Sequence, residues 1–267
     1  MGLVTPLGNG VKHSWKNLLA GRSGVTLLGD GFEDLPVRIA ASVPRGTEKE
    51  HGHFDMANYR GSAQSVNFIA YALEAAKEAL ADAQWHPTTD QEQWTTGVAI
   101  GSGIGSIADT VTAADKLASP RGIRGISPYF VPRILVNLAG GHVSIEHGLK
   151  GPNHACSTAC ATGAHAIGDA YRMVERGDAE VMVCGGTESS IDRLSVAGFA
   201  RAQALCKTAN DAPATASRPF DENRNGFVIG EGAGVFVLES LDHALSRGLL
   251  PEDIHGEVVF AKALAQC

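Results

Sequence analysis

Residues 148–163 of the chain read G-L-K-G-P-N-H-A-C-S-T-A-C-A-T-G, and the rest of the sequence is organised around them. The pattern predicts a short strand over residues 154–158 that turns at Ala159 and Cys160 into a helix ending at Gly177. Cys160 would then lie in the first turn of that helix, where free backbone N–H groups and the positive end of the helix dipole stabilise an anion. Since the thiolate is the nucleophilic form of cysteine, the stretch offers Cys160 as a nucleophile.

Two other interpretations of Cys160 remain open on the residues alone. Cysteine is among the residue types most often buried, so Cys160 could instead pack in a core. A metal site is disfavoured, because a turn separates the two cysteines, their spacing is not C-x-x-C and no second ligand pair follows. The four candidate ligands would be His154, Cys156, Cys160 and His165. The sequence therefore predicts no metal centre.

Composition narrows the class of protein. The 267 residues carry a formal net charge of −7, with 44% hydrophobic and 19% charged residues, which is typical of a globular protein. The acidic balance argues against nucleic acid or an anionic membrane as a partner, and an acidic protein partner would need a local basic patch. Five cysteines, an odd number, indicate a reducing compartment rather than a secreted disulfide framework. No apolar run is long enough to span a membrane, and the N-terminus shows neither a signal-peptide nor a transit-peptide pattern.

Strand and helix signals alternate along the chain, which predicts an α/β layered fold with buried strands. The predicted strands cover residues 3–4, 37–43, 97–100, 180–184 and 255–260, with a hairpin of two short strands within 226–239. The predicted helices cover residues 11–19, 62–84, 107–117, 133–147 and 241–247. Residues 206–225 are polar and are predicted to form a loop. The helix over 62–84 has the clearest apolar stripe, formed by Val66, Ile69, Leu73, Ala76, Leu80 and Ala83.

A glycine-rich turn, G-S-G-I-G at residues 101–105, joins a predicted strand to a predicted helix. Such a turn can cradle a phosphate. Here the spacing differs from the dinucleotide-binding fingerprint and no acidic residue follows at the right point. We therefore predict a tight turn that lines a pocket.

Taken together, the motifs resemble those of the β-ketoacyl-acyl-carrier-protein synthases of fatty-acid synthesis, the type II condensing enzymes, and are most similar to their mitochondrial members. The matching stretches begin at residues 2, 99, 127, 151, 177 and 217 and read G-L-V-T-P-L-G, A-I-G-S-G-I-G, S-P-Y-F-V-P, G-P-N-H-A-C-S-T-A-C-A-T-G-A-H, G-D-A-E-V-M-V-C-G-G-T-E and S-R-P-F-D-E-N-R-N-G-F-V-I-G-E-G-A. They span nearly the whole chain in the family's order. The resemblance implies a thiolase-like layered α/β/α/β/α fold. Of this fold the chain would supply an amino-terminal synthase domain over residues 1–225 and the incomplete start of the carboxy-terminal domain over 226–267.

The resemblance also implies an activity. Cys160 matches the cysteine that accepts an acyl chain from acyl-carrier protein, before decarboxylative condensation with malonyl-acyl-carrier protein. Ile104, Phe130 and Phe199 match residues that line the acyl pocket, although each could equally be plain core packing. No separate cofactor is implied, since the substrates are carried on the phosphopantetheine of the carrier. The family also implies a homodimer and, by its closest resemblance, a mitochondrial location, with the cytoplasm as the alternative.

The family motifs H-x-T-x-T-x-x-G-D, K-x-x-x-G-H and G-F-G-G do not occur in the sequence. In the family they come from the second half and supply two histidines, a lysine and an oxyanion donor. The first predicted strand, at residues 3–4, also lacks its usual beginning, so we expect a chain cut short at both ends relative to the family. We also expect that the 267-residue polypeptide does not condense malonyl carrier at a useful rate. A catalytically incomplete fragment or splice product that acts only through dimer contacts is an alternative. Another thiolase-fold acyltransferase is a weaker one.

Overall fold

The computed structural model describes residues 1–59 and 66–258. Its strands are β1 Gly2–Thr5, β2 Gly8–Asn9, β3 Val25–Leu27, β4 Ile39–Ala41, β5 Thr96–Gly101, β6 Asn153–His154, β7 Val181–Glu188 and β8 Gly232–Glu239. Its α-helices are α1 Val11–Leu19, α2 Asn67–Asp82, α3 Asp90–Trp94, α4 Ile107–Ala118, α5 Phe130–Ile134, α6 Leu138–His147, α7 Thr162–Glu175, α8 Arg193–Arg201 and α9 Leu241–Ser246. The predicted alternation of strands and helices, and with it the α/β class, is confirmed.

Six of these strands form one mixed sheet in the order β2-β1-β8-β7-β5-β6. The strands β5, β6 and β7 run parallel, whereas β8 is antiparallel to both β7 and β1. The remaining strands, β3 and β4, pair antiparallel in a small second sheet. Because parallel strands end at the same edge of a sheet, the loops after β5, β6 and β7 meet there.

The central strands are buried on both faces, as their near-continuous apolar sequences predict. Successive side chains alternate between two cores. The core beneath α2 and α6 contains Val98, Ile100, Val181, Val183 and Val235, and the core beneath α7 contains Ala99, Met182 and Cys184. Helices therefore cover both faces of the sheet, giving an α/β/α arrangement.

Helix α2 is the helix that the sequence predicts most clearly, and ten of its residues are buried. Five members of the predicted stripe are buried and the sixth, Ala83, is half-buried, so the stripe is confirmed; the buried members are Val66, Ile69, Leu73, Ala76 and Leu80. Phe68, Tyr71 and Ala72 are buried as well, because the helix packs against α6 as well as against the sheet. Residues 62–65 of the prediction lie outside the described residues.

Several element predictions are wrong in extent. The helix predicted over 133–147 is two helices, because Leu135 is extended (ψ 120°) and ends α5. The strand predicted over 180–184 continues through two glycines to Glu188. The predicted hairpin within 226–239 is one strand, β8, since residues 226–231 form only isolated bridges. Residues 255–258 are not in a strand, and the rest of the strand predicted over 255–260 lies outside the described part of the chain.

Strand β8 also bears on how the chain is divided. It follows residue 225, where the sequence predicts a domain boundary, and it lies between β1 and β7 in the larger sheet. The division itself stays a prediction. Within the two described stretches, no helix has both the length and the apolar character that crossing a bilayer requires.

Candidate active site

Cys160 lies at the edge of the sheet where the parallel strands end. The predicted strand over 154–158 is only two residues long, and Cys160 sits in a 3₁₀ turn, Ala159–Ala161, just before α7 begins. The prediction that Cys160 lies inside the first turn of the α-helix is therefore wrong, since Cys160 lies two residues before the first residue of α7. Its side chain is exposed rather than packed in a core.

A residue with a left-handed backbone precedes the cysteine. Ala159 has φ 53°, which costs an L-amino acid roughly 1 kcal/mol or more and persists only where the surroundings fix it. Part of that support is Thr162, a buried residue whose Oγ1 accepts a 2.8 Å hydrogen bond from the Thr158 N–H. The backbone is thus bent sharply between the end of β6 and the start of α7, and the bend presents Cys160 at the surface.

Glycines of β5 and β7 let these strands lie directly against the bend that carries Cys160. A Cβ added to Gly101 would lie 2.4 Å from the Cys156 carbonyl oxygen and 2.4 Å from Thr162 Cγ2. On β7, a Cβ on Gly186 would lie 2.9 Å from the Cα of Gly163 in α7. Both glycines therefore allow the Cys160 segment to lie directly against the sheet.

The glycine-rich turn after β5 is a tight turn, as predicted, and its N–H groups already bind an anion that the protein supplies. Glu188, the last residue of β7, accepts hydrogen bonds through Oε2 from the N–H groups of Gly103 (2.9 Å) and Ile104 (3.2 Å). Its Oε1 accepts hydrogen bonds from the hydroxyls of Ser102 (3.1 Å) and Ser190 (3.2 Å). This carboxylate occupies the N–H groups that a phosphate would need.

The histidines near Cys160 are engaged with other side chains. His165 Nδ1 lies 2.8 Å from Thr158 Oγ1, and His154 Nε2 lies 3.3 Å from Asp169 Oδ2. Among the residues that the structure describes, no group of three or more histidine, cysteine or acidic side chains is arranged to hold a metal ion.

The other described cysteines differ from Cys160 in their surroundings. Burial, aided by the negative charge of Asp169, raises the pKa of the Cys156 thiol, which donates a 3.3 Å hydrogen bond to the Thr162 carbonyl. Burial raises the pKa of Cys184 to about 12. Cys206 is also buried, so Cys160 is the exposed thiol of the described residues.

The three predicted pocket residues lie on separate elements. Ile104 is in the turn bound by Glu188, next to Gly103, which lies close to Ala159, and the Ile104 side chain is partly exposed. Phe130 begins α5, which packs against α4. Phe199 lies on α8, with its ring edge-to-face against Phe227 at 5.6 Å between centroids.

Sequence reasoning missed Glu188 and the backbone of Ala159. The G-G-T-E stretch at 185–188 is part of a family motif, but its glutamate is assigned no role from the sequence. An acidic residue that ends a buried strand beside a glycine-rich turn of the next parallel strand was the available signal. No sequence signal marks Ala159, because alanine rarely adopts a positive φ.

The chain was compared with known proteins. The family description "Beta-ketoacyl synthase, N-terminal domain" matches residues 1–244. The mitochondrial 3-oxoacyl-(acyl-carrier-protein) synthase of Arabidopsis thaliana is 53% identical over 263 residues, covering 93% of this chain and 56% of that protein. The 3-oxoacyl-(acyl-carrier-protein) synthase 2 of Rhizobium meliloti is 50% identical, covering 97% of this chain and 61% of that protein. The chain thus spans 56–61% of the length of these curated relatives.

Solved structures give the same result for the fold. A β-ketoacyl synthase from Burkholderia phymatum superposes with a TM-score of 0.79 at 32% identity, over 92% of this chain and 60% of that one. A type II polyketide ketosynthase in complex with its acyl-carrier protein, AntDE:AntF, superposes with a TM-score of 0.75 at 28% identity, over 92% of this chain and 58% of that one. The predicted thiolase-like fold is confirmed by these ketosynthase neighbours.

Proposed function

The chain belongs to the β-ketoacyl synthase family, and from this membership we propose that it is the part of a 3-oxoacyl-acyl-carrier-protein synthase that accepts the acyl chain on Cys160. One observation carries the proposal. An exposed cysteine stands on a sharp bend at the ends of the parallel strands, inside the stretch that matches the family.

The first half-reaction is acyl capture. The Cys160 thiolate attacks the carbonyl carbon of an acyl thioester, a new C–S bond forms, and the carrier's phosphopantetheine thiolate leaves and takes up a proton. The exposure of Cys160 and the small side chains of Ala159 and Ala161 leave room for that thioester. Covalent capture divides a condensation into two steps, which gives ping-pong kinetics.

The second half-reaction is the condensation. Malonyl-acyl-carrier protein loses carbon dioxide, its carbanion attacks the acyl-Cys160 carbonyl carbon, and the C–S bond breaks to release the Cys160 thiolate and a 3-oxoacyl carrier. The family's histidine and lysine motifs for this step do not occur in the 267 residues. We therefore expect this polypeptide by itself to be acylated but not to condense, since losing even one oxyanion donor costs about 10²–10³ in rate.

The acyl chain would extend past Ile104, with Phe130 and Phe199 as further contacts. Support comes from Ile104, which lies in the turn beside Ala159 and is partly exposed. Replacing Ile104 by Ala should therefore change the relative capture rates of short and long acyl thioesters. Ile145→Ala, on the exposed surface of α6, is the matched control and should leave the ratio unchanged.

Acyl-carrier protein would be the partner, and an acidic carrier needs a basic patch. Lys116, Arg121 and Arg124 form one at the end of α4 and in the turn that follows, despite the net charge of −7. A Cβ on Gly125 would lie 3.3 Å from Lys116 Cβ and 3.4 Å from Arg121 Cβ, so these side chains start close together. Replacing both Arg121 and Arg124 by Glu should weaken capture from an acylated carrier but not from a small thioester, while Arg176→Glu should change neither.

Two further properties are proposed from the family. A homodimer is supported by the position of β6 at the edge of the larger sheet, where a strand of a second copy can pair with it. Light scattering would test it by the mass in solution. A mitochondrial location is supported by the mitochondrial relatives from Arabidopsis thaliana and Schizosaccharomyces pombe, and cell fractionation would test it.

The decisive experiment for the function is an acyl-transfer assay read by peptide mass spectrometry. The purified protein is incubated with an acylated carrier, and the acyl mass is expected on the peptide that holds Cys160. Cys160→Ala should abolish the adduct, whereas Cys156→Ser, which removes the neighbouring thiol, should retain it. No adduct on the unaltered protein, or an adduct that survives Cys160→Ala, would refute the function.

The separation of the two half-reactions needs its own measurement. The same 267-residue polypeptide is given malonyl carrier after acyl capture, and no 3-oxoacyl product is expected. A detectable 3-oxoacyl carrier would show that residues within this chain complete the condensation site.

A further inference from the structure

We propose that Glu188 is a positioning residue for the nucleophile: its carboxylate fixes the turn of residues 102–104, and that turn holds Ala159 in the left-handed conformation that presents Cys160. The inference rests on the proposed role of Cys160 and assigns a residue that acts through the backbone rather than on the substrate.

The first step in this chain of contacts is the carboxylate itself. Glu188 ends β7 and accepts four hydrogen bonds from residues of two loops, two from N–H groups and two from hydroxyls. The hydroxyl donors, Ser102 and Ser190, are 1% and 3% exposed, so water competes little for these bonds. Ser102 Oγ in turn accepts a 3.2 Å bond from the Gly105 N–H, which closes the turn.

The second step is the contact between the turn and the bend at Ala159. A Cβ on Gly103 would lie 3.5 Å from the Ala159 carbonyl oxygen and 3.6 Å from the Ala159 Cα. The Ser157 hydroxyl donates a 3.3 Å bond to the Gly103 carbonyl. The turn therefore lies against the residue that immediately precedes Cys160.

The third step is energetic. Ala159 with φ 53° holds an unfavourable conformation and relaxes if its support moves. Glutamine at position 188 keeps the size of the side chain but loses the charge and presents one NH₂ group to a site lined with donors. The turn would then loosen, Ala159 would leave the left-handed region, and Cys160 would lose its fixed direction.

The test compares Glu188→Gln with Glu92→Gln as a matched control. Glu92 also accepts backbone N–H bonds, from Thr88 and Thr89, but it lies in α3 before the start of β5, whereas the Cys160 bend lies beyond the end of β5. Both variants therefore remove a carboxylate with similar bonds, at opposite ends of one strand.

Amide hydrogen exchange gives the readout that does not depend on activity. In Glu188→Gln, amide exchange in residues 156–162 should be about tenfold faster, because a local opening of this segment becomes easier. The groups that donate to Glu188 belong to residues 102–104 and Ser190, so a change in residues 156–162 would be transmitted through the turn. Glu92→Gln should leave it unchanged. Unaltered exchange in Glu188→Gln, or an equal change in Glu92→Gln, overturns the proposal.

Acyl capture gives the second readout. Glu188→Gln should lower the saturating rate of Cys160 acylation about 30-fold with little change in the half-saturating thioester concentration, since misplacing a reacting group by about 1 Å can cost 10²-fold. In an Ala159→Gly background the loss should shrink to about threefold, because glycine adopts a positive φ without strain. An equal loss in both backgrounds, or a change confined to half-saturation, contradicts positioning.

Two outcomes separate this proposal from the function on which it rests. If the unaltered protein is not acylated, the proposed function fails while hydrogen exchange still decides the role of Glu188. If Glu188→Gln does not fold, Ser102→Ala removes one of the four bonds to Glu188, together with the bond that Ser102 accepts from the Gly105 N–H, and should raise the exchange of residues 156–162 in the same direction, by about threefold. Wild-type exchange in that variant would overturn the proposal.

Discussion

The chemistry proposed for Cys160 depends on the small size of its neighbours, which are glycine at the end of β5 and alanine on either side of the cysteine. Gly101 ends β5 against the carbonyl of Cys156, and the small residues on either side of Cys160 leave its thiol uncovered. Where side chains are present, as at Thr162, they make hydrogen bonds that hold the bend. The site is thus shaped by close backbone packing as much as by reactive groups.

Gly101→Ala should damage both stability and acyl capture. The new methyl group would lie 2.4 Å from backbone and side-chain atoms of the Cys160 segment, so the segment must move. We expect a loss of about 2 kcal/mol in the free energy of unfolding, as overpacking commonly costs, and at least a tenfold slower acylation.

The control for this prediction is Gly198→Ala, in the interior of α8. No atom lies within 4 Å of the added Cβ, and alanine is the better helix former, so stability should rise by up to about 1 kcal/mol. Urea denaturation measures both variants. Gly101→Ala with the stability and acylation rate of the unaltered protein would contradict the packing argument.

Helix α6 carries two histidines, His142 and His147, whose rings are harder to protonate in the folded protein than in the unfolded chain. Burial lowers the pKa of His142 and of His147, although the nearby Glu146 carboxylate acts in the opposite direction. The Nε2 atoms of both rings are buried without a hydrogen-bond partner among the described residues. Charging either ring in the folded state is therefore unfavourable.

Stability should consequently fall as the pH drops below about 6.5, the usual pKa of an unfolded histidine. The unfolded chain takes up protons there while the folded rings, with lowered pKa values, do so only at lower pH, so the free energy of unfolding decreases. Urea denaturation at pH 7.5, 6.5 and 5.5 measures this slope.

The double variant His142→Gln, His147→Gln should flatten the slope over this range. A slope that is the same in the double variant would assign the pH dependence to other groups.

On the scale of the whole molecule, a buried carboxylate joins the small sheet to the large one. Glu231, immediately before β8, has a side chain only 2% exposed and accepts hydrogen bonds from the Val43 N–H and from Arg45. Val43 and Arg45 follow β4, and Arg45 also donates to the Tyr71 hydroxyl on α2. Three separate parts of the chain are thus fixed to one ion pair.

Arg45→Met should destabilise the protein by about 2 kcal/mol, because it leaves the Glu231 carboxylate buried without its counter-ion. The expected loss is below the usual range for a buried pair, since the Arg45 side chain is 49% exposed. Adding Glu231→Gln should recover part of the loss, because the uncompensated charge is then removed. Additive losses in the double variant, measured by urea denaturation, would contradict this coupling.

The sequence by itself determined the α/β class, the order of most strands and helices, and Cys160 as the candidate nucleophile. The fold class, the element order and the choice of Cys160 all depend on local patterns of apolar residues, glycines and helix starts. Such patterns can be read within a short stretch of chain. The limits of α5, α6, β7 and β8 were predicted poorly, because neighbouring strands and packing decide where such elements end. The family resemblance came from motifs and is confirmed by the match over residues 1–244.

Only the tertiary structure decided how the site is held. Glu188 and Gly103 are 85 positions apart, and they meet because β7 runs beside β5 in parallel register. The positive φ of Ala159 likewise depends on the turn packed against it, and the place of β8 between β1 and β7 depends on pairing across more than 200 residues. Such contacts follow from the arrangement of the sheet, which no local stretch of sequence encodes.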